Sequence, residues 1–155
     1  MARAVSSFLP IDRCQDFVQE MTRVARPNGW VEVRDFGLAR SESPALMAMT
    51  QVFTQMAAAR VLHPGLGPYL SRYFPRTGLR DIRYRTVTSR YGRRPTRGGQ
   101  LMLIDYLALM ERLTPIVARA GLASDELWRQ WLMQARDQTL RCTTEVDLTA
   151  AIGRK

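Results

Sequence analysis

Few side chains in this chain are suited to chemistry, and their spacing is loose. His63 is the one histidine, so it is the one side chain whose ordinary titration lies near neutrality. It stands in a His63-Pro64-Gly65 loop with no Cys, Ser or acidic neighbour to make a nucleophile–base pair. A lone loop histidine of this kind is more often incidental than a proton-transfer group. Cys14 and Cys142 are two lone thiols without a CxxC pair, an inventory that makes no zinc site; both read as small buried hydrophobes. Nine arginines and one acid, Asp81, lie between Arg72 and Arg97, with Tyr84 and Tyr91 interleaved. This is the stretch most like a nucleic-acid surface. It carries no zinc-finger, RNP or helix-turn-helix pattern, and a charged strand face with a solvated loop accounts for it, so nucleic acid is not the expected partner.

Those residues belong to a chain of 155 residues, 46% hydrophobic and 8% aromatic, which suits one domain, 1–155, with an ordinary core. No run approaches the roughly 20 apolar residues of a membrane helix, and no signal-peptide core is visible. A cytoplasmic protein with no membrane partner is the expectation. The net charge is +9, carried by arginine except for Lys155. Such a balance arises from coding bias as readily as from function; a basic chain is drawn to nucleic acid, acidic lipids or acidic partners.

The elements follow from periodicity and punctuation. Cys14, Phe17, Val18, Met21 and Val24 recur at helical spacing, with Asp12 and Gln15 placed as a capping box. Pro27 stops that helix, Asn28-Gly29 turns, and Trp30 to Phe36 is a strand. After a polar connection, Ser43 caps and Pro44 opens a helix to about Val61, with Leu46, Met49, Phe53 and Met56 inward. Pro68 begins a short helix that packs Tyr69, Leu70, Tyr73 and Phe74 inward and ends at Pro75. Residues 80–88 alternate as a strand with Ile82, Tyr84 and Thr86 on one face, and a loop follows. A helix over about 99–119 buries Leu101, Ile104, Leu107, Leu113 and Val117, with Pro115 kinking it or starting a new turn. Gly121 ends it. Ser124 caps the next helix, whose apolar face holds Leu127, Trp128, Trp131, Leu132 and Ala135 and which runs to about Cys142. Residues 145–152 alternate as a last strand, with Val146, Leu148, Ala150 and Ile152 on the apolar side.

The stretch Glu20 to Phe36, EMTRVARPNGWVEVRDF, resembles the helix–turn–strand in the second half of class I S-adenosylmethionine-dependent methyltransferases. Glu20, Arg23, Val24, Arg26, Pro27, Gly29 and Trp30 stand in that pattern, with Asn28 where the family has glycine. The resemblance extends through ARAVSSFLP before it, YFPRTGLRDIRYRTV after it, and EVDLTAAIGRK at the end. It implies an α/β fold: a partial Rossmann-like sheet of late strands, in the order 30–36, 145–152, 80–88. The last strand runs antiparallel, helices cover both faces, and the helical pair at 98–143 is inserted between the last two strands.

The family's donor site lies mainly in its first half, in a glycine-rich turn and an acidic residue. The only similar string is Gly65-Leu66-Gly67, which follows no strand and reads as a loop. The expectation is a C-terminal half without the donor-binding part, whose strand 30–36 has an unpaired edge. The cofactor is S-adenosylmethionine by resemblance, with Arg3 and Ser6 near its edge. Ligands of open α/β sheets bind beyond the carboxyl ends of the strands, which nominates Asp35, Phe36 and Met49 as a substrate wall, with His63, Trp128 and Trp131 around it. A solvated Asp35, a core methionine stripe and core tryptophans are the plain alternative. Three functions remain: a small-molecule methyltransferase completed by a separate half, a noncatalytic module that forms a homodimer through the sheet edge, and a nucleic-acid binder.

Overall fold

The structure, a computed structural model, describes residues 1–5, 9–59, 65–93 and 95–155. Ser6, Arg94 and His63, with the His63-Pro64 part of its loop, lie outside the described residues. The elements are β1 (Ala2–Arg3), α1 (Cys14–Val24), β2 (Trp30–Phe36), β3 (Arg40–Ser41), α2 (Pro44–Ala59), α3 (Leu70–Tyr73), β4 (Arg80–Gly92), α4 (Arg97–Arg119), α5 (Asp125–Thr139) and β5 (Thr143–Arg154). The fold is α/β around a mixed sheet. β1 runs parallel to β2, β5 runs antiparallel to β2, and β4 pairs with β5. Contacts Asp81–Arg154, Thr86–Thr149 and Arg90–Glu145 run in opposite directions along β4 and β5. The last strand therefore lies between β2 and β4 and runs against both, the order the sequence resemblance implies.

The chain forms two compact units. The first holds residues 1–38, 57–87 and 147–155. Its core joins Val31 and Val33 of β2, Ala151 of β5, Cys14 and Val18 of α1, and Leu70 and Phe74. The second holds residues 39–56 and 88–146 and packs Leu46 and Met49 of α2 with Met110 and Val117 of α4 and Trp128 and Leu132 of α5.

Local chemistry explains most boundaries. Asn28 takes φ +62, the left-handed conformation that asparagine tolerates, and Gly29 closes the turn with its N–H on the Arg26 carbonyl at 2.8 Å. The Ser43 and Ser124 hydroxyls accept the N–H groups of Leu46 and Leu127, capping α2 and α5 as their sequence positions require. α4 runs unbroken through Pro115. Proline offers no N–H to the Glu111 carbonyl, and the Thr114 hydroxyl donates to that oxygen instead, at 2.7 Å.

Several expectations are corrected. α1 has no Asp12–Gln15 capping box: residues 11–13 form a 3-10 turn with no side-chain cap, and Gln15 donates to the Tyr73 carbonyl. Pro75 does not end the short helix, which continues as a 3-10 turn to Thr77 and stops at Gly78 with φ +75. Tyr69 is exposed rather than packed inward. β4 extends through residues expected to be loop, and α4 begins at Arg97, where Thr96 caps it. Leu101 and Ile104 are 61% and 63% exposed, because α4 turns Leu103, Met110, Thr114 and Val117 inward.

The apolar alternation of β5 is out of phase beyond Val146. Thr149, Ala151 and Gly153 are buried while Leu148, Ala150 and Ile152 are half-buried. The small residues are selected by close packing: a Cβ on Gly153 would stand 3.0 Å from Leu79. The edge of β2 expected to be bare is partly covered, since Ala2 and Arg3 pair with Val33 and Arg34.

Candidate functional site at the end of strand β2

Alternation along β2 sets Val31, Val33 and Asp35 on one buried face, 2%, 0% and 0% exposed. The β2–β5 register places them opposite Gly153, Ala151 and Thr149. Asp35 is thus a carboxylate fully inside the first unit, not the solvated aspartate of the alternative reading. Its Oδ1 accepts the Phe36 N–H at 2.8 Å. Beside it in the row stands Thr149, whose Oγ1 is 3.0 Å from Oγ1 of Thr86 on β4. A polar row, Asp35–Thr149–Thr86, therefore crosses three strands on an otherwise apolar face. Burial of such groups is costly without hydrogen bonds, and the hydroxyl pair supplies part of them.

Two further elements close on this end. Gly67 lies against the backbone of β2: a Cβ there would stand 2.5 Å from the Asp35 carbonyl oxygen. Gly65 lies somewhat less close to Gly37 and Phe36: a Cβ there would stand 3.0 Å from the Gly37 carbonyl carbon and 3.1 Å from the Phe36 carbonyl oxygen. From α1 comes Cys14, fully buried, with its Sγ 3.5 Å from the Pro10 carbonyl. Burial pushes the Cys14 thiol up, the nearby Asp35 charge adds to this, and a hydrogen bond with Tyr73 opposes it. Tyr73 is itself raised, by burial first and by Cys14 second. A thiol held protonated is a poor nucleophile, so Cys14 is no candidate for covalent catalysis. The arrangement provides positioning and hydrogen bonds rather than a nucleophile.

The expected site residues fall into separate groups. Asp35 and Phe36 share the first unit with Arg3, which is exposed on β1, aligned with Arg34, and points a guanidinium nitrogen at Met1 Sδ at 3.7 Å. Met49 and Trp128, both 0% exposed, and the partly buried Trp131 come together in the core of the second unit. The Trp128 N–H donates to the Met110 carbonyl at 2.9 Å, and its ring meets Trp131 edge-on at 6.3 Å. Sequence reading missed Thr149, Thr86 and Cys14 as neighbours of Asp35. The only signal was a threonine in each of β4 and β5, which the pairing of those two strands brings level. A surface groove of about 670 Å³ along α1 is lined partly by Arg13, Asp16, Glu20 and Arg23, which pair with one another.

No family model matches this chain, and no curated protein does. Among solved structures it is similar to the Haemonchus contortus phospholethanolamine N-methyltransferase 2, in complex with phosphomonomethylethanolamine and S-adenosylhomocysteine. The TM-score is 0.48 at 12% identity, over 99% of this chain and 32% of that one. The chain thus spans about a third of that protein's length.

Proposed function

We propose that the chain is the late-strand portion of an S-adenosylmethionine-dependent methyltransferase fold, which methylates a small molecule once a donor-binding half completes it. The observation that carries this reading is the place of β5, antiparallel between β2 and β4, together with the helix–turn–strand of residues 20–36. Methyl transfer is an in-line displacement at a sulfonium carbon, so positioning and exclusion of water do most of the work. A conspicuous catalytic dyad is not required.

The described residues do not fit the donor. A cofactor cradle needs glycines whose open side faces a ligand. At Gly65 and Gly67 that side faces the chain's own β2 backbone. Arg3 is exposed, and Ser6 lies outside the described residues. This chain's part is on the acceptor side, at the carboxyl end of β2, where the half-buried Phe36 is the apolar wall and the enclosed Asp35 holds that end in place by accepting the Phe36 N–H.

The test is a fusion of the donor-binding half of a class I methyltransferase to Met1, followed by calorimetric titration of S-adenosylmethionine. One equivalent bound by the fusion and none by the chain alone is the expected result. A fusion that is folded by circular dichroism yet binds no donor overturns the proposal.

A further inference from the structure

We propose that strand β4, with the turn that precedes it, is a binding site for single-stranded nucleic acid. The sequence alone assigns these arginines to a solvated strand face, and the structure adds three facts. First, β4 is an edge: β5 pairs with it on one side, and among the described residues nothing pairs on the other. Second, the charge is not offset. Asp81, the only acid of the stretch, is held by Arg154 at 2.7 Å. Arg76, Arg80, Arg83 and Arg85 are exposed and have no ion-pair partner among the described residues. Third, an aromatic ring stands among them. Tyr84 is 43% exposed, and its ring is fixed edge-on against the buried Phe74, with centroids 6.5 Å apart.

These features match what single strands require: cations that track a phosphate backbone and an accessible ring on which a base can stack. Arg83 and Arg85 project to one side of the strand, roughly 7 Å apart, and Tyr84 to the other. A chain lying along an open edge reaches both sides. An acidic peptide would use the arginines but would have no need of the ring, so nucleic acid is the better occupant. The competing explanation is that charge on an edge strand merely blocks pairing with another sheet. This proposal is independent of the methyl donor.

The test is fluorescence anisotropy of a labelled oligothymidylate of roughly a dozen nucleotides, beside its RNA counterpart, titrated with the whole chain at several salt concentrations. With three or four phosphates engaged, log K is expected to fall with log salt at a slope of about −2 to −3. The double variant Arg83→Gln/Arg85→Gln should weaken binding at least tenfold and flatten the slope. Tyr84→Leu should weaken it several-fold and leave the slope unchanged. The DNA and RNA arms identify which strand is preferred. Three results overturn the proposal: equal binding of polyglutamate, oligonucleotide binding unchanged in the arginine variant, or self-association of that variant as the only change. The two arginines are exposed, so their replacement leaves the fold intact, which circular dichroism verifies.

Discussion

Two adjacent glycines at the start of α4 offer opposed substitutions whose signs follow from geometry alone. Gly98 and Gly99 stand within the first turn of the helix. A Cβ on Gly98 meets nothing within 4 Å, and its backbone is not left-handed. Alanine there gains helix propensity and removes freedom from the unfolded chain, about 0.5–1 kcal/mol. For a chain of this size that raises the melting temperature by roughly 1–4 °C. A Cβ on Gly99 overlaps the Arg90 carbonyl oxygen, lies 2.8 Å from that carbon and 3.0 Å from the Thr96 hydroxyl. The obstacles are backbone atoms of β4 and the cap of α4 itself, neither of which swings aside like a side-chain tip. Overpacking costs about 1–3 kcal/mol, and a disturbed cap adds up to about 1 kcal/mol. Gly99→Ala should therefore melt roughly 2–16 °C lower. Thermal melts of the two variants beside the parent chain, followed by far-ultraviolet circular dichroism, read both signs. Gly99→Ala melting at or above Gly98→Ala would refute the packing of α4 against β4.

Other consequences are as direct. Pro115→Ala should raise the melting temperature, because an exposed interior proline costs a helix up to about 3 kcal/mol and restoring the N–H frees Thr114 from its substitute role. Trp128→Phe should lose about 1–3 kcal/mol in urea unfolding, since it shrinks a fully buried side chain and removes the indole N–H bond to the Met110 carbonyl. Tyr91 is 3% exposed and its phenol is pushed up to about 12 by burial and by Tyr106. Its raised value means a contribution fully present below pH 10 and lost as pH climbs through about 12. Tyr91→Phe should flatten that alkaline loss. Cys14, raised by burial and by Asp35, should react with a thiol reagent far more slowly in the native chain than in urea.

Sequence legibility tracked how local the physics was. The Asn28-Gly29 turn, the Ser43 and Ser124 caps and the β2 alternation were readable because each depends on neighbours in the chain. The place of β5 came from resemblance, not from periodicity. What stayed hidden depends on partners distant in sequence. Apolar residues lie on more than one side of α4, so spacing could not tell that Met110 and Val117, rather than Leu101 and Ile104, face α5 and α2. The burial phase of β5 changes between Val146 and Thr149, next to Gly37, whose N–H bonds the Asp147 carbonyl. Asp35 looked like a solvated strand-end acid; only the register with Thr149 and the approach of Gly67 show it enclosed.

The most direct test of the central reading is calorimetric titration of S-adenosylmethionine into the 155-residue chain and into its fusion with a donor-binding half. Heat that saturates at one site only in the fusion, with a micromolar Kd or about −8 kcal/mol, is the expected result. Saturable binding by the chain alone would contradict it, because the donor site would then be built from residues assigned here to packing.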